Sequence, residues 1–284
     1  MNSNWRYVSE EIINIFSTIN KEYWLNTRNS IKYSVSGSKM PIFYGYGYKS
    51  LNKFIQERGI EVTSSYTQKC MEYGSGLEKE AKEYLLSCFN YNIIADGENT
   101  IHKKLTYKSG IETKSVDILL TPDLVLCEID PPYKDYIVEI KCPLRIIEIN
   151  DRRNCELMYT IEEYKGKYRY GVPQAFIQSL FYALFLERNY FMTAHYFKNI
   201  THRGMLIYYY KIDIKLIENI KNEFYDDIFK FNELIENSTE NKKIYVDRER
   251  KKWIFDLMCL LFNFTRILQV IIPQELEKNT MENK

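Results

Sequence analysis

The sequence predicts an α/β fold in which a mixed central sheet is flanked by helices, with helical extensions at the N- and C-termini. Residues 124–129 and 136–142 are two apolar runs, and the segment between them, 130–135, has the composition of a turn. This arrangement is typical of a β-hairpin. Stretches with apolar residues three and four positions apart lie on either side of it, which indicates amphipathic helices.

Helices and a further strand are predicted around the hairpin. In residues 72–89 the apolar side chains form one stripe with Glu78 at its edge. A second helix begins near residues 171–173, because proline suits the first helical turn. Its apolar composition over residues 175–186 predicts a buried helix. The tyrosine-rich alternation of residues 205–214 predicts a strand at the edge of the sheet.

We expect residues 1–284 to form a single domain with three parts. These are a helical N-terminal element (1–70), a core (71–214) and a helical C-terminal extension (215–284). Within the two terminal parts, the apolar spacing predicts helices at 3–26, 47–58, 215–236 and 251–271.

Composition narrows the class of protein. Hydrophobic residues make up 45% and charged residues 27% of the 284 residues, and the formal net charge is +1. These are ordinary globular values, and no apolar run approaches the length of about 18 residues that a membrane helix requires. The six cysteines form no CxxC pair, which argues against a zinc site or a disulfide framework. We therefore expect a soluble, intracellular protein that does not bind membranes.

The hairpin carries a charged motif. Side chains alternate across a strand, so Glu139 and Lys141 face one way while Val138 and Ile140 face the core. Asp123 stands at the open end of the same hairpin. Two carboxylates placed in this way can share a hard divalent cation, and Mg²⁺ is bound through one or two carboxylates.

This motif predicts metal-dependent hydrolysis of a phosphodiester. Lys141 would orient or help to deprotonate the attacking water, and it would offset charge on the phosphorus. A simpler interpretation is also open, because Glu-x-Lys in a strand can be an exposed salt-bridge face and Asp123 can merely follow a turn proline.

Several further blocks occur in a fixed order around the hairpin. They are Trp24-x-x-x-Arg28, Ser36-Gly37-Ser38, Met71-x-x-Gly74-x-x-x-Glu78, Thr121-Pro122-Asp123, Glu139-Ile140-Lys141-Cys142-Pro143, and the pair Gln174 and Gln178. Together these blocks resemble the PD-(D/E)xK nucleases, and within them the phage-lambda-type (YqaJ-like) recombination exonucleases and the viral alkaline exonucleases. The resemblance covers residues 24–196, and its most specific part is the Glu-Ile-Lys-Cys-Pro block with the upstream Thr-Pro-Asp.

The resemblance implies a restriction-endonuclease-like core and a set of catalytic residues. Asp123 and Glu139 would bind the metal together with the Ile140 carbonyl, and Lys141 would be the catalytic lysine. Glu78 would lie near the metal as an acidic helper.

The glutamine block has the two residues four positions apart, where the family commonly has Q-x-Q. The resemblance implies that one of them orients Lys141 or the attacking water. Whether this is Gln174 or Gln178 is open.

The resemblance also implies a pocket for the 5′-phosphate of a DNA end, formed by Arg28, Ser38 and Thr121. Guanidinium pairs with phosphate oxygens through two hydrogen bonds, and hydroxyls supply further donors. The spacing leaves Ser36 open as an alternative to Ser38.

The activity that the resemblance implies is a Mg²⁺-dependent, or Mn²⁺-dependent, DNA exonuclease that degrades double-stranded ends from 5′ to 3′. It would act in viral or phage recombination or replication, in the nucleus or cytoplasm of a host if viral. Double-stranded DNA ends, a single-strand annealing protein and further copies of the chain are the partners expected. Two alternatives are a host-shutoff endonuclease acting on RNA or DNA, and a non-catalytic nucleic-acid-binding protein that retains the fold.

Overall fold

The computed structural model describes residues 6–31, 33–57, 65–143, 145–149, 152–156, 160–198, 202–237 and 243–271. In these ranges the chain combines helices with two mixed sheets and a separate two-stranded ribbon. The predicted α/β class is therefore confirmed.

The strands of the described ranges vary from two to twelve residues in length. They are β1 (Arg6–Ser17), β2 (Val35–Ser36), β3 (Tyr91–Ala95), β4 (Asn99–Ser109), β5 (Glu112–Leu120), β6 (Leu124–Glu128), β7 (Asp135–Lys141), β8 (Arg145–Ile149), β9 (Arg152–Glu156), β10 (Tyr190–Lys198), β11 (His202–Lys211) and β12 (Phe262–Ile271).

The helices lie between and around these strands. They are α1 (Lys21–Ser30), α2 (Met40–Phe43), α3 (Leu51–Gln56), α4 (Ser65–Ser87), α5 (Ile161–Lys167), α6 (Pro173–Phe185), α7 (Ile214–Glu236) and α8 (Arg248–Leu261). No helix in the described ranges has both the length and the apolar composition needed to cross a bilayer.

The larger sheet has the order β12-β11-β10-β7-β6-β3, and the smaller sheet has the order β1-β4-β5-β2. Among the neighbouring strands described in the larger sheet, β7 and β10 are the only parallel pair. Parallel neighbours need a crossover connection, usually helical, and α6 lies in this connection and packs on both strands.

Two layers of apolar side chains cover the larger sheet. On one face, Phe176 and Ile177 of α6 belong to the same buried cluster as Ile137 of β7. On the other face, Leu85 of α4 clusters with Val138 of β7. Consecutive residues of β7 thus point to opposite layers, and the strand is held between α6 and α4.

The predicted hairpin is confirmed. Strands β6 and β7 are antiparallel, with Leu124 opposite Val138 and Cys127 opposite Asp135. As expected, Val138 and Ile140 pack into the core. The opposite face carries Glu139 and Lys141, but it is not simply a charged face, because Ile137 on the same face belongs to the other core cluster and Glu139 is buried.

The helix predicted over residues 3–26 is wrong over residues 6–17 and is confirmed only from Lys21 onward. Residues 6–17 form β1, which pairs antiparallel with β4. Helix α1 begins only at Lys21, after Asn20 has capped it by accepting a hydrogen bond from the Tyr23 N–H. This segment contains three isoleucines together with Val8, Tyr7 and Phe16, residue types that favour a strand once a partner strand is available. The N-terminal element is therefore not purely helical.

The helix predicted over residues 251–271 is wrong in its second half. Helix α8 ends at Leu261, and residues 262–271 form β12, an edge strand that pairs antiparallel with β11. The prediction of a helix over 215–236 is confirmed by α7. The C-terminal part thus extends the sheet as well as adding helices.

The remaining element boundaries shift by a few residues. Helix α4 begins at Ser65, earlier than predicted, and α3 spans only Leu51–Gln56. Helix α6 begins at Pro173, as its first-turn proline predicted.

Gly171, just before α6, is expected to tolerate no side chain. Its φ is +109°, and a Cβ built there would lie 1.8 Å from the hydroxyl oxygen of Tyr210, which itself donates to the Tyr170 carbonyl. We expect Gly171→Ala to lower the free energy of unfolding by about 2–4 kcal/mol, from backbone strain and overpacking.

Thermal unfolding would measure this loss. Gly166→Ala is the matched control, because Gly166 is an exposed residue of α5 with nothing within 4 Å of the Cβ position. The control should be neutral or slightly stabilising, since alanine favours a helix. Equal melting temperatures for Gly171→Ala and the unmodified protein would contradict the prediction.

Candidate active site

The hairpin brings two carboxylates together. Because Leu124 pairs with Val138, the next position places Asp123 opposite Glu139. The Asp123 Oδ2 atom accepts a hydrogen bond from the Ile140 N–H at 2.7 Å. This bond fixes the aspartate against the end of β7, one residue from Glu139.

A glutamate side chain in water is charged at neutral pH, but the Glu139 side chain is buried. Its exposed fraction is 1%. The Oε1 atom accepts a hydrogen bond from Lys141 Nζ. Among the described residues, Glu139 Oε2 has no hydrogen-bond partner. An unpaired buried carboxylate oxygen is costly, and such an atom indicates a site for a cation or another donor.

Both carboxylates hold protons more tightly than usual. Burial, together with the neighbouring Asp123 carboxylate, raises the pKa of Glu139 to about 8. Burial also raises the pKa of Asp123 to about 6, with Lys141 opposing this rise and Glu78 adding to it. Glu139 is buried and Asp123 is half-buried, and two like charges placed opposite each other favour a bound cation.

Lys141 projects beside the two carboxylates. Burial alone would lower the pKa of its ammonium group, but the charges of Glu139 and Asp123 outweigh burial and raise it. One-third of the side chain is exposed, so the ammonium group is charged and accessible from solvent.

His195 lies beside Lys141 on the neighbouring strand, a position that the sequence did not reveal. The two residues are opposite each other in the parallel pairing of β7 with β10. The ring nitrogens of His195 lie 3.2 Å from the Tyr164 hydroxyl and 3.2 Å from the Thr193 hydroxyl. Burial, and then the charge of Lys141, lower the pKa of His195 to about 3. The imidazole is therefore neutral and adds no charge to the site.

Glu78 approaches the same site from α4. Its carboxylate acts electrostatically on Asp123, Glu139 and Lys141, and it pairs with Lys82 at 2.9 Å. The structure thus places Glu78 near the two carboxylates on a separate element. The side chain of Met71, from the same sequence block, lies outside the described residues.

The two glutamines lie one turn apart on α6. Tyr182 follows Gln178 by one turn. Gln178 acts to lower the pKa of Tyr182, while the charges of Glu139 and Asp123 act to raise it. Gln174 lies in the first turn of the helix. Gln178 is therefore the glutamine that is coupled, through Tyr182, to the carboxylates.

The predicted phosphate-binding residues form one connected group. Arg28 Nη2 donates to the Ser38 hydroxyl at 3.4 Å, and the Ser38 and Ser36 hydroxyls are 3.0 Å apart. The guanidinium also lies 5.2 Å from the ring centroid of Trp24. Ser36 and Ser38 thus adjoin the same arginine.

Thr121 joins this group through Thr100, which the sequence did not indicate. The Thr121 and Thr100 hydroxyls are 2.8 Å apart, and Trp24 Nε1 donates to Thr100 Oγ1 at 2.9 Å. Thr121 is two residues before Asp123. It therefore connects the cluster of serine and threonine hydroxyls to the carboxylate pair. The site therefore has an arginine and hydroxyls next to two carboxylates and a lysine.

The donor set fits Mg²⁺. Within the described ranges, no group of three or more histidine, cysteine, aspartate and glutamate side chains is arranged to hold a metal ion. Mg²⁺ does not require such a group, because it binds through one or two carboxylates and keeps several waters. Asp123 and Glu139 with the Ile140 carbonyl provide hard oxygen ligands, and Glu139 Oε2 is the atom that a cation would satisfy.

In comparisons with known proteins, no family model and no curated protein matches the chain.

Proposed function

We propose that the protein is a Mg²⁺-dependent nuclease of the PD-(D/E)xK type. The observation that carries the proposal is the convergence of Asp123, Glu139 and Lys141 at the end of one hairpin, with Glu139 Oε2 buried and unpaired within the described structure. The mixed sheet held between α4 and α6 supports a restriction-endonuclease-like core.

The roles of the residues follow from their positions. Asp123 and Glu139 would hold the metal, which when bound would supply polarisation of the phosphoryl group and of a water. Lys141 would orient the attacking water and donate to the phosphoryl oxygen as charge develops there. Glu78, on α4, would complete the acidic side of the site.

The finer proposal is an exonuclease acting on double-stranded DNA ends. The group of Arg28, Ser38 and Thr121 supports it, because a guanidinium surrounded by hydroxyls suits a terminal phosphate. The direction of cleavage would be 5′ to 3′, with the end phosphate held at Arg28. A host-shutoff endonuclease would use the same carboxylates, so the substrate must be tested directly.

A cleavage assay tests both levels of the proposal. Linear duplex DNA with a 5′-phosphate, linear duplex with a 5′-hydroxyl, closed circular DNA and RNA would be incubated with the protein in Mg²⁺ or in EDTA. We expect Mg²⁺-dependent degradation of the phosphorylated linear duplex. Lys141→Ala should lower the rate about a hundredfold to ten-thousandfold, because a general acid-base or electrostatic group is lost.

Lys134→Ala is the matched control on the same hairpin. Lys134 is at the turn end of β7, where its Nζ atom lies 3.6 Å from Glu128 Oε2. Removal of this side chain should leave the cleavage rate unchanged. Cleavage of circles or of RNA would favour the endonuclease alternative. Absence of cleavage of every substrate in Mg²⁺ would favour the non-catalytic alternative.

A further inference from the structure

Tyr182 is a buried side chain of α6 that is coupled both to the carboxylate pair and to Arg28. Its exposed fraction is 3%. The carboxylates of Glu139 and Asp123 and the guanidinium of Arg28 all act on its hydroxyl electrostatically.

The Tyr182 ring packs closely against Gly37, which lies in the serine segment of the proposed phosphate pocket. A Cβ built on Gly37 would lie 2.7 Å from Tyr182 Cζ and 2.9 Å from its hydroxyl oxygen. Gly37 stands between Ser36 and Ser38, and Ser38 contacts Arg28. Only a residue without a side chain lets the phenol end of Tyr182 reach this backbone.

The Tyr182 hydroxyl can donate a hydrogen bond only while it is protonated. Burial, followed by the charges of Glu139 and Asp123, raises the pKa of Tyr182 well above its usual value, although Gln178 and Arg28 act in the opposite direction. A neutral hydroxyl beside a guanidinium is suited to donate to an anionic oxygen.

We propose that Tyr182 is a specificity-determining residue whose hydroxyl donates to the terminal 5′-phosphate held at Arg28 and so sets the distance from this phosphate to the carboxylates of Asp123 and Glu139. This role rests on the proposed nuclease function. It makes Tyr182 the link by which recognition of the DNA end positions the phosphodiester to be cut. Gly37 is then a positioning residue that keeps the Tyr182 ring in place.

The test compares phosphorylated with hydroxyl ends. Cleavage in Mg²⁺ would be measured as kcat and KM on linear duplexes with a 5′-phosphate or a 5′-hydroxyl, and binding of the same duplexes in EDTA by fluorescence anisotropy. We expect Tyr182→Phe to reduce the preference for the phosphorylated end about tenfold to a hundredfold, the value of a hydrogen bond to a charged group. The rate on the hydroxyl end should fall less than the rate on the phosphorylated end.

Gly37→Ala provides a second variant that leaves the tyrosine in the sequence. The new methyl group would displace the ring, so the same preference should fall. In the double variant the two effects should not add, because the hydroxyl can be lost only once. Tyr210→Phe is the matched control: it also removes the hydroxyl of a buried tyrosine, one that donates to the Tyr170 carbonyl, and it should leave the preference unchanged.

The outcomes separate this role from the function on which it rests. Equal loss of activity on both ends in Tyr182→Phe would show a structural role and overturn the inference alone. An unchanged preference in this variant would overturn it as well. Absence of Mg²⁺-dependent cleavage by the unmodified protein would overturn the proposed function, and this role with it.

Discussion

Glu139→Gln is expected to abolish Mg²⁺-dependent cleavage and to make the metal-free protein more stable at pH 8. The loss of cleavage should be about a hundredfold or more, because one of two metal-binding carboxylates is removed. The gain in stability follows from burial: Glu139 is 1% exposed and its pKa is raised to about 8. A neutral amide of similar shape removes the cost of a buried charge.

The sign of the pH dependence follows from the raised pKa. The folded protein binds the Glu139 proton more tightly than the unfolded chain does, so stability falls as pH rises from about 4.5 to about 8. We expect the unmodified protein in EDTA to lose about 2 kcal/mol or more across this range from Glu139. Glu139→Gln should lose less.

Thermal unfolding in EDTA at several pH values would measure this difference, and addition of Mg²⁺ would test the site itself. A ligand that binds the folded state raises the melting temperature, so Mg²⁺ should stabilise the unmodified protein and not Glu139→Gln. Glu128→Gln is the matched control, since Glu128 lies at the opposite end of the hairpin and accepts from Tyr136. Equal stabilisation of Glu139→Gln by Mg²⁺ would contradict a metal site at Glu139.

Arg250→Met is expected to lower the free energy of unfolding by about 3–5 kcal/mol, a fall in melting temperature of roughly 10 °C. Arg250 of α8 pairs with Asp227 of α7, whose exposed fraction is 0%. The same Asp227 oxygen accepts from the Tyr44 hydroxyl at 2.7 Å. Without the guanidinium, a buried carboxylate would be left uncompensated.

Two controls separate the buried pair from other effects of the substitution. Glu223→Gln removes the charge of another partner of Arg250, whose Oε2 atom lies 2.7 Å from Arg250 Nη1. Because Glu223 is half exposed, this change should lower the free energy of unfolding by less than about 1 kcal/mol. Adding Asp227→Asn to Arg250→Met should restore much of the stability. The deficit of Arg250→Met alone should also shrink as pH falls, because burial raises the pKa of Asp227. A loss that is independent of pH and unaffected by Asp227→Asn would contradict this account.

Local patterns in the sequence were sufficient to predict the secondary-structure elements that carry the candidate catalytic residues. The alternation of β7 and the turn composition before it predicted the hairpin, and the spacing of Asp123 from Glu139 predicted that the carboxylates would meet. Proline at the start of α6 and its apolar composition predicted the buried helix. These features depend on residues close together in the chain, where the direction of each side chain follows from the type of element.

The two misassigned segments show where local patterns fail. Residues 6–17 and 262–271 contain apolar residues whose spacing fits either a helix or a strand. Each became a strand because an edge of a sheet, β4 or β11, was available for pairing. Strand preference depends on such neighbours more than helix preference does.

The sequence by itself determined the α/β class, the hairpin and the identity of the charged groups at its end. Only the tertiary structure decided that Glu139 is buried with one oxygen unpaired within the described residues, that Tyr182 reaches Gly37, and that Tyr44 meets Asp227 across 183 positions of the chain. The physical reason is that burial and hydrogen-bond partners depend on which distant elements pack together, whereas side-chain alternation is set within a single element.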